Sequence, residues 1–173
     1  MKLKDIKKLS NEEKSYFACF FDTGGSITTQ IVKGRSYKYG YTVRVTITFF
    51  QSTKEHWFLM KLHKRLGKGW KLRKRNDGMS ELFTTGFTPV SNFIKEIQPY
   101  LIKKKRLSRL VLEIIDEYSK IQIEADFLQV CKKIDITAKY TYSKKRKHTY
   151  ASVKDYLNSP VETENAFLRH SDN

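Results

Sequence analysis

The sequence predicts an α/β domain of the α+β kind, ordered α-ββ-α-ββ-α with further helices behind it, and three observations carry that prediction. The hydrophobic period changes from helical to two at Ser26 and again at Trp70. Each period-two stretch comes as a pair around a turn, glycine- and tyrosine-rich in the first case and Asn76-Asp77-Gly78 in the second. Start signals (Ser, Thr, Pro) and stop signals (Gly, Pro) punctuate the helical stretches between the pairs. Four such strands form one antiparallel sheet, with the helices covering a single side and the other side left open.

The first helix opens at a capping box, Ser10-Asn11-Glu12-Glu13, and runs apolar from Tyr16 to Phe21 until it stops at Asp22-Thr23-Gly24-Gly25. Its last turns are apolar all round, so one face packs on its own domain and the other on something else, most simply a second copy of the chain. The first strand pair follows. Ile27, Thr29 and Ile31 alternate with Ser26, Thr28 and Gln30, and Val43, Val45, Ile47 and Phe49 alternate with Thr42, Arg44, Thr46 and Thr48. The turn between them spans Lys33 to Tyr41.

Ser52-Thr53-Lys54-Glu55 reads as a second capping box, opening a helix that carries Phe58, Leu59, Leu62 and Leu66 and ends at Gly67. Trp70 to Arg75 and Met79 to Thr85 make the second hairpin, whose first strand projects Lys71, Arg73 and Arg75. Thr88-Pro89 places proline at the first position of a third helix that ends near Gln98-Pro99. Helical spacing then recurs from Lys103 (Leu107, Leu110, Val111, Ile114, Ile115, Tyr118), from Phe127 to Ile134, and over Tyr150 to Leu157. Residues 1–9 read as a basic arm, residues 10–157 as a single domain that includes the C-terminal helices, and residues 158–173 as a tail.

Composition narrows the function. Of 173 residues, 34 are Lys or Arg and 18 are Asp or Glu, a net charge of +16, which suits a polyphosphate partner. A membrane is not expected, because no stretch approaches the ~18 apolar residues of a spanning helix. Cys19 and Cys131 lack metal-ligand spacing and read as buried thiols of a reducing compartment, and His56, His63, His148 and His170 form no zinc-type cluster, so no metal site follows from the residues themselves. The open sheet face, with Thr, Gln and Arg at strand period, is shaped for a duplex groove: Arg and Gln read base edges while Lys neutralises phosphate.

The segment Phe17-Ala18-Cys19-Phe20-Phe21-Asp22-Thr23-Gly24-Gly25, followed by Ser26-Ile27, resembles the motif of the LAGLIDADG homing endonuclease family. The similarity continues through Gln51, Trp57-Phe58-Leu59, Leu66-Gly67, Gln98-Pro99-Tyr100-Leu101, Lys103-Lys104-Lys105 and Leu110-Val111-Leu112, over roughly residues 10 to 157. The resemblance implies the αββαββα fold with a saddle-like sheet. One motif copy implies the homodimeric branch, with Phe17, Ala18, Cys19 and Phe21 at the contact between two motif helices. It further implies that double-stranded DNA is met by Thr28, Gln30, Ser36, Tyr37, Thr42, Arg44, Thr46 and Thr48 of the first hairpin and by Arg73, Arg75 and Glu81 of the second. Lys103 and Lys105, and the basic loop Lys144-Lys145-Arg146-Lys147, are added as phosphate-binding clusters.

The same resemblance exposes a departure. The motif's final acid, which in the family holds the catalytic Mg²⁺, is Gly24 here, while Gln51 and Lys104 match a water-ordering glutamine and a charge-stabilising lysine of the pocket. Asp22 stands ~3 Å away along the helix and about 200° around it, and does not take the vacant place. A position often basic in this pocket is Glu55, and Cys19 enlarges a helix contact that is glycine in the motif. The expectation is therefore a sequence-directed DNA-binding protein with weak or lost Mg²⁺-dependent cleavage. The alternatives are a domesticated RNA-binding protein, maturase-like or associated with ribosomal RNA, and a still-active endonuclease. An organelle-encoded product of mitochondrion or chloroplast, or a bacterial intron product, fits the composition; a secreted protein does not.

Overall fold

A computed structural model of the chain describes residues 8–141 and 146–159. The elements run α1 (Asn11–Gly24), β1 (Gly25–Lys33), β2 (Tyr41–Ser52), α2 (His56–Leu66), β3 (Lys71–Lys74), β4 (Met79–Thr85), α3 (Phe87–Ile97), α4 (Lys105–Tyr118), α5 (Glu124–Ile136) and α6 (Tyr150–Leu157). The strands form one sheet in the order β1-β2-β4-β3, with β2 and β3 both antiparallel to β4. The expected α+β order is thus present.

The residues group into two compact units, the described parts of Met1–Thr29 with Arg44–Leu112 and of Gln30–Val43 with Glu113–Asn173. In the first, α1 packs on α3, and α2 on β3 and β4. Its core is aromatic: the fully buried Phe49 ring lies 5.2 Å from Phe20, 5.4 Å from Phe21, 5.7 Å from Trp70 and 5.8 Å from Phe93. Such pairs add ~0.5 to 1.5 kcal/mol each beyond area burial, which makes Phe49 the residue whose truncation this unit tolerates least. In the second unit α5 packs on α6, with Phe127, Val130, Cys131, Ile134 and Val153 buried.

Strand parity follows the sequence. Ile27, Thr29 and Ile31 of β1 and Tyr41, Val43, Val45, Ile47 and Phe49 of β2 are buried, while Gln30 and Arg44 are exposed. At the first helix the capping box is reciprocal: the Glu13 N–H donates to Ser10 Oγ at 3.3 Å and the Ser10 N–H to Glu13 Oε2 at 2.8 Å. Arg65 of α2 closes on the same glutamate, tying α2 to the start of α1.

Three local expectations need correction. Ser52 caps a 3-10 turn, Thr53–Glu55, by accepting from the Lys54 N–H; α2 begins only at His56, and Glu55 is an exposed residue with no reciprocal bond. Helix α3 begins at Phe87 after Gly86, so Pro89 is its third residue, where a missing N–H is still harmless because the first four donors of a helix have no partner within it. Strand β3 is four residues long and begins after the buried Trp70.

Candidate nucleic-acid interface and residual cleavage pocket

Cross-strand register assembles the polar face in the first unit. Thr46 stands opposite Thr85, Thr48 opposite Phe83 and Lys71 opposite Phe83 again, and Arg73 opposite Glu81. Arg73 is 63% exposed and ion-paired to Glu81, its guanidinium 5.2 Å from the Phe83 ring centre. Arg75 joins the same carboxylate at 3.6 Å and Asp77 at 2.7 Å. Glu81 is itself 8% exposed, so it orients two arginines instead of reaching a ligand, a correction to its expected place among the contact residues. Thr48 is also buried, and Thr46 shares its hydroxyl with Thr85 at 3.0 Å. Thr28 is half-buried and Arg44 exposed.

In the second unit Gln30 is exposed on β1, Ser36 and Tyr37 are exposed on the turn, and Thr42 shares a 2.8 Å hydrogen bond with the Tyr118 hydroxyl, which takes its side chain out of direct readout. Arg146 is half-buried and donates to Thr137 Oγ1 at 2.8 Å, so it braces the end of α5 and is not a free cation of a basic loop. Lys147 is exposed; Lys144 and Lys145 lie outside the described residues.

The foot of α1 is the chemically informative place. The buried Asp22 carboxylate accepts the N–H groups of Ile102, Lys103 and Lys104 at 2.7, 3.0 and 2.9 Å, using both oxygens. Lys104 donates from Nζ to the Asp22 carbonyl at 2.6 Å, and burial holds its ammonium below the usual lysine range. Lys103 and Lys105 flank it, exposed. At Gly24 the atoms nearest an added Cβ would be Phe20 Cε2 at 3.4 Å, Phe20 Cζ at 3.8 Å and the Phe50 carbonyl at 3.8 Å, next in the chain to the half-buried Gln51. Asp22 is thus the structural helix-end residue expected of it, with Lys104 on its carbonyl and Gln51 next in the chain to the carbonyl that faces Gly24.

The foot of α1 does not fit a divalent cation. Mg²⁺ asks for one or two carboxylates beside the substrate oxygens; here one position has no side chain and the neighbouring carboxylate is committed to three N–H donors. Among the described residues no group of three His, Cys, Asp or Glu side chains converges, and no helix is long and apolar enough to cross a membrane.

The dimer contact was expected at Phe17, Ala18, Cys19 and Phe21. Phe17, Ala18 and Phe21 are instead buried in their own unit, where Phe17 and Phe21 both meet the rings of Phe49 and Phe93. The outer stripe is Tyr16, Cys19 and Thr23, all exposed, so that of the two thiols expected to be buried only Cys131 is. The stripe continues onto α2 through Trp57 and Met60, 53% and 55% exposed. Tyr16 and Trp57 both meet Phe58 edge-on, at 6.4 and 6.0 Å, which joins the two helices' apolar surface into one patch. Sequence reasoning missed Tyr16, Trp57 and Met60, although their spacing on one face of each helix was readable.

A first helix ending at a pocket, two hairpins forming one sheet with an open polar face, and helices behind define a fold of the homing-endonuclease type. Comparison with known proteins sharpens this. The chain is 35% identical over 156 residues, 90% of its own length and 94% of the relative's, to DNA endonuclease I-CreI of Chlamydomonas reinhardtii. It is 36% identical over 143 residues, covering 83% and 88%, to DNA endonuclease I-CvuI of Chlorella vulgaris. A crystal structure of I-CvuI in complex with an I-CreI target in the presence of 2 mM Mg, with the DNA not cleaved, matches 84% of this chain and 92% of that one with a TM-score of 0.78 at 35% identity. The archaeal intron-encoded I-Vdi141I complexed with DNA shares the fold at a TM-score of 0.73 and 17% identity, covering 91% of this chain and 98% of that one. No protein-family model matches the chain. The chain belongs to the LAGLIDADG homing endonuclease family.

Proposed function

We propose that this protein binds a defined double-stranded DNA sequence as a pair of copies joined along the outer stripe of α1, and that its cleavage of that DNA is weak or absent. The observation that carries the second half is the foot of α1: Gly24 offers no ligand and Asp22 is consumed by three backbone donors. Two support the first half. The relatives that match nearly end to end are DNA endonucleases, and the sheet presents Arg44, Arg73 and Arg75 with a net charge of +16 behind them. Arginine reads guanine through two parallel N–H donors, and lysine neutralises the backbone. The exposed Tyr16, Cys19, Trp57 and Met60 patch is the surface that a second copy covers, and two copies double the reading face on a near-palindromic site. Both relatives come from eukaryotes, which favours the organelle-encoded origin over the bacterial one.

The relatives' activity favours retained cleavage, and the vacant acid weighs against it. The deciding experiment is selection from a randomised duplex library and, in parallel, from structured RNA, at ~150 mM salt so that nonspecific phosphate attraction is held down. A long, near-palindromic DNA site is the expected product. Enrichment of structured RNA with no DNA motif overturns the proposal in favour of RNA binding.

A further inference from the structure

The β1–β2 turn of the second unit is held far more firmly than an exposed seven-residue connection requires. Its own bonds close it: the Gly34 N–H donates to the Gly40 carbonyl at 2.9 Å and the Gly40 N–H to the Tyr37 carbonyl at 2.8 Å. The Tyr37 ring lies over Gly34, in space that a Cβ would fill. Outside contacts then fix it from two directions. Lys38 Nζ and the Tyr39 hydroxyl both donate to the Gln122 carbonyl, at 3.1 and 3.3 Å, and the Tyr39 ring stacks on Phe127 with centres 5.1 Å apart. Behind them Thr42 is tied to Tyr118.

From α6, the Tyr156 ring presses on Gly40, whose φ of +67° and missing Cβ are both needed there. Tyr156 also meets Tyr41 edge-on at 5.3 Å and lies beneath the Lys33 ammonium at 4.5 Å. Arg35, Ser36 and Tyr37 remain exposed at the end of this braced structure.

We propose that the α4–α5 connection and α6 act as a positioning device for the turn, holding one conformation of Gly34–Gly40 so that Ser36 and Tyr37 meet base edges in a single register. Tyr39 and Tyr156 are its chief positioning residues. This rests on the DNA-reading function proposed above. The physical reason is entropic. A free loop of this length would be ordered only on binding, at a backbone cost that outweighs two base contacts, so discrimination by the tip requires that it be ordered beforehand.

The test is a position-by-position binding profile on the selected DNA site for the whole protein and its Tyr37→Ala, Tyr39→Phe, Tyr39→Leu and Tyr156→Leu variants, with thermal melts alongside. Tyr37→Ala is expected to relax preference by about tenfold at the base pairs it meets, the size of one good contact. Tyr39→Leu and Tyr156→Leu are expected to relax the same base pairs comparably, to leave other positions unchanged, and to make Tyr37→Ala nearly silent when combined with it. Tyr39→Phe keeps the stack and retains most of the preference.

A merely structural role lowers the melting temperature or the active fraction and leaves the profile of the active molecules as it was. That result, or a uniform loss at every position, overturns the inference while the DNA reading stands. A parent protein with no duplex preference at all overturns both. Should Tyr39→Leu fail to fold, the exposed Lys38→Met carries the same test through the same carbonyl.

Discussion

Placing an acid at the foot of α1 is the most direct probe of the proposed loss of cleavage, and the structure says that Gly24→Asp is tolerated. The φ at Gly24 is not in the left-handed region, and an added Cβ stands at ordinary contact, 3.4 Å, from the Phe20 ring. A carboxylate in the last turn of a helix opposes the macrodipole by ~0.3 to 1 kcal/mol, offset in part by the gain of a few tenths on replacing glycine. The net cost is below ~1 kcal/mol, or about 2 to 4 °C in Tm for a chain of this size. Against that, a metal ion held at a scissile phosphate stabilises the transition state by several kcal/mol, and ~3 kcal/mol corresponds to roughly 100-fold in rate. The assay is linearisation of a supercoiled plasmid carrying the selected site, with Mg²⁺ and with chelator, beside affinity for the same site. The expected result is unchanged affinity and a Mg²⁺-dependent gain of about two orders of magnitude. A variant that folds and binds but gains nothing refutes the idea that the missing acid is the defect, and a parent that cleaves as fast as the variant refutes the loss of activity itself.

Asp22→Asn keeps one acceptor oxygen but turns an amide NH₂ toward at least one of the N–H groups of residues 102–104, and is expected to lose ~1 to 3 kcal/mol, roughly 2 to 12 °C in Tm; an unchanged melt contradicts the structural role assigned to Asp22. Glu81→Gln weakens the hold on Arg73 and Arg75, so the slope of log Kd against log salt is expected to steepen by about 1 while base discrimination at their positions falls; an unaltered slope shows the pair already free. Mild oxidation is expected to cross-link two copies through the exposed Cys19, and Cys19→Ser to abolish the dimer band on a non-reducing gel; a monomer under all conditions removes the proposed pairing. Burial pushes the Cys131 thiol up to about 12 from 9.0, so the unfolded chain loses its proton first and stability falls as pH rises from about 9 toward 12, a slope that urea melts should show and Cys131→Ala should lack.

Much of the fold is legible because it rests on local signals. The switch of period at Ser26, the box at Ser10 and the spacing from Tyr150 to Leu157 each act within a few residues, and α6 lies where that spacing placed it. The errors lie where two local readings compete. Ser52-Thr53-Lys54-Glu55 satisfies the capping-box pattern, yet its hydroxyl is spent on a 3-10 turn. Phe17 and Phe21 belong to a helix apolar on every side, and periodicity cannot say which side faces a sheet when both could.

The site divides in the same way. Arg44 and Gln30 follow from alternation, and the vacancy at Gly24 follows from the motif. The engagement of Glu81 by two arginines, of Thr42 by Tyr118 and of Lys38 and Tyr39 by Gln122 does not, because each partner except Arg73 and Arg75 is brought from 76 or more residues away. Such contacts decide whether a polar side chain is available to a ligand, and no local pattern encodes them.

The proposed reading face and the foot of α1 occupy different parts of this fold, and that separation is what the proposal of binding without cleavage requires. The Arg73–Glu81–Arg75 cluster sits on the open face of the second hairpin, and Gly24 sits at the foot of α1, where the space beside it is bounded by Phe20 and the Phe50 carbonyl. Exchange of an acid for glycine there removes no packing, breaks none of the three bonds to Asp22 and leaves Lys104 on the Asp22 carbonyl. A symmetric pair would carry the vacancy twice, so neither strand would be served by a neighbour's intact acid. On the proposed reading a single position sets the chemistry, while the three bonds to Asp22 and the Arg73–Glu81–Arg75 cluster stand independently of it.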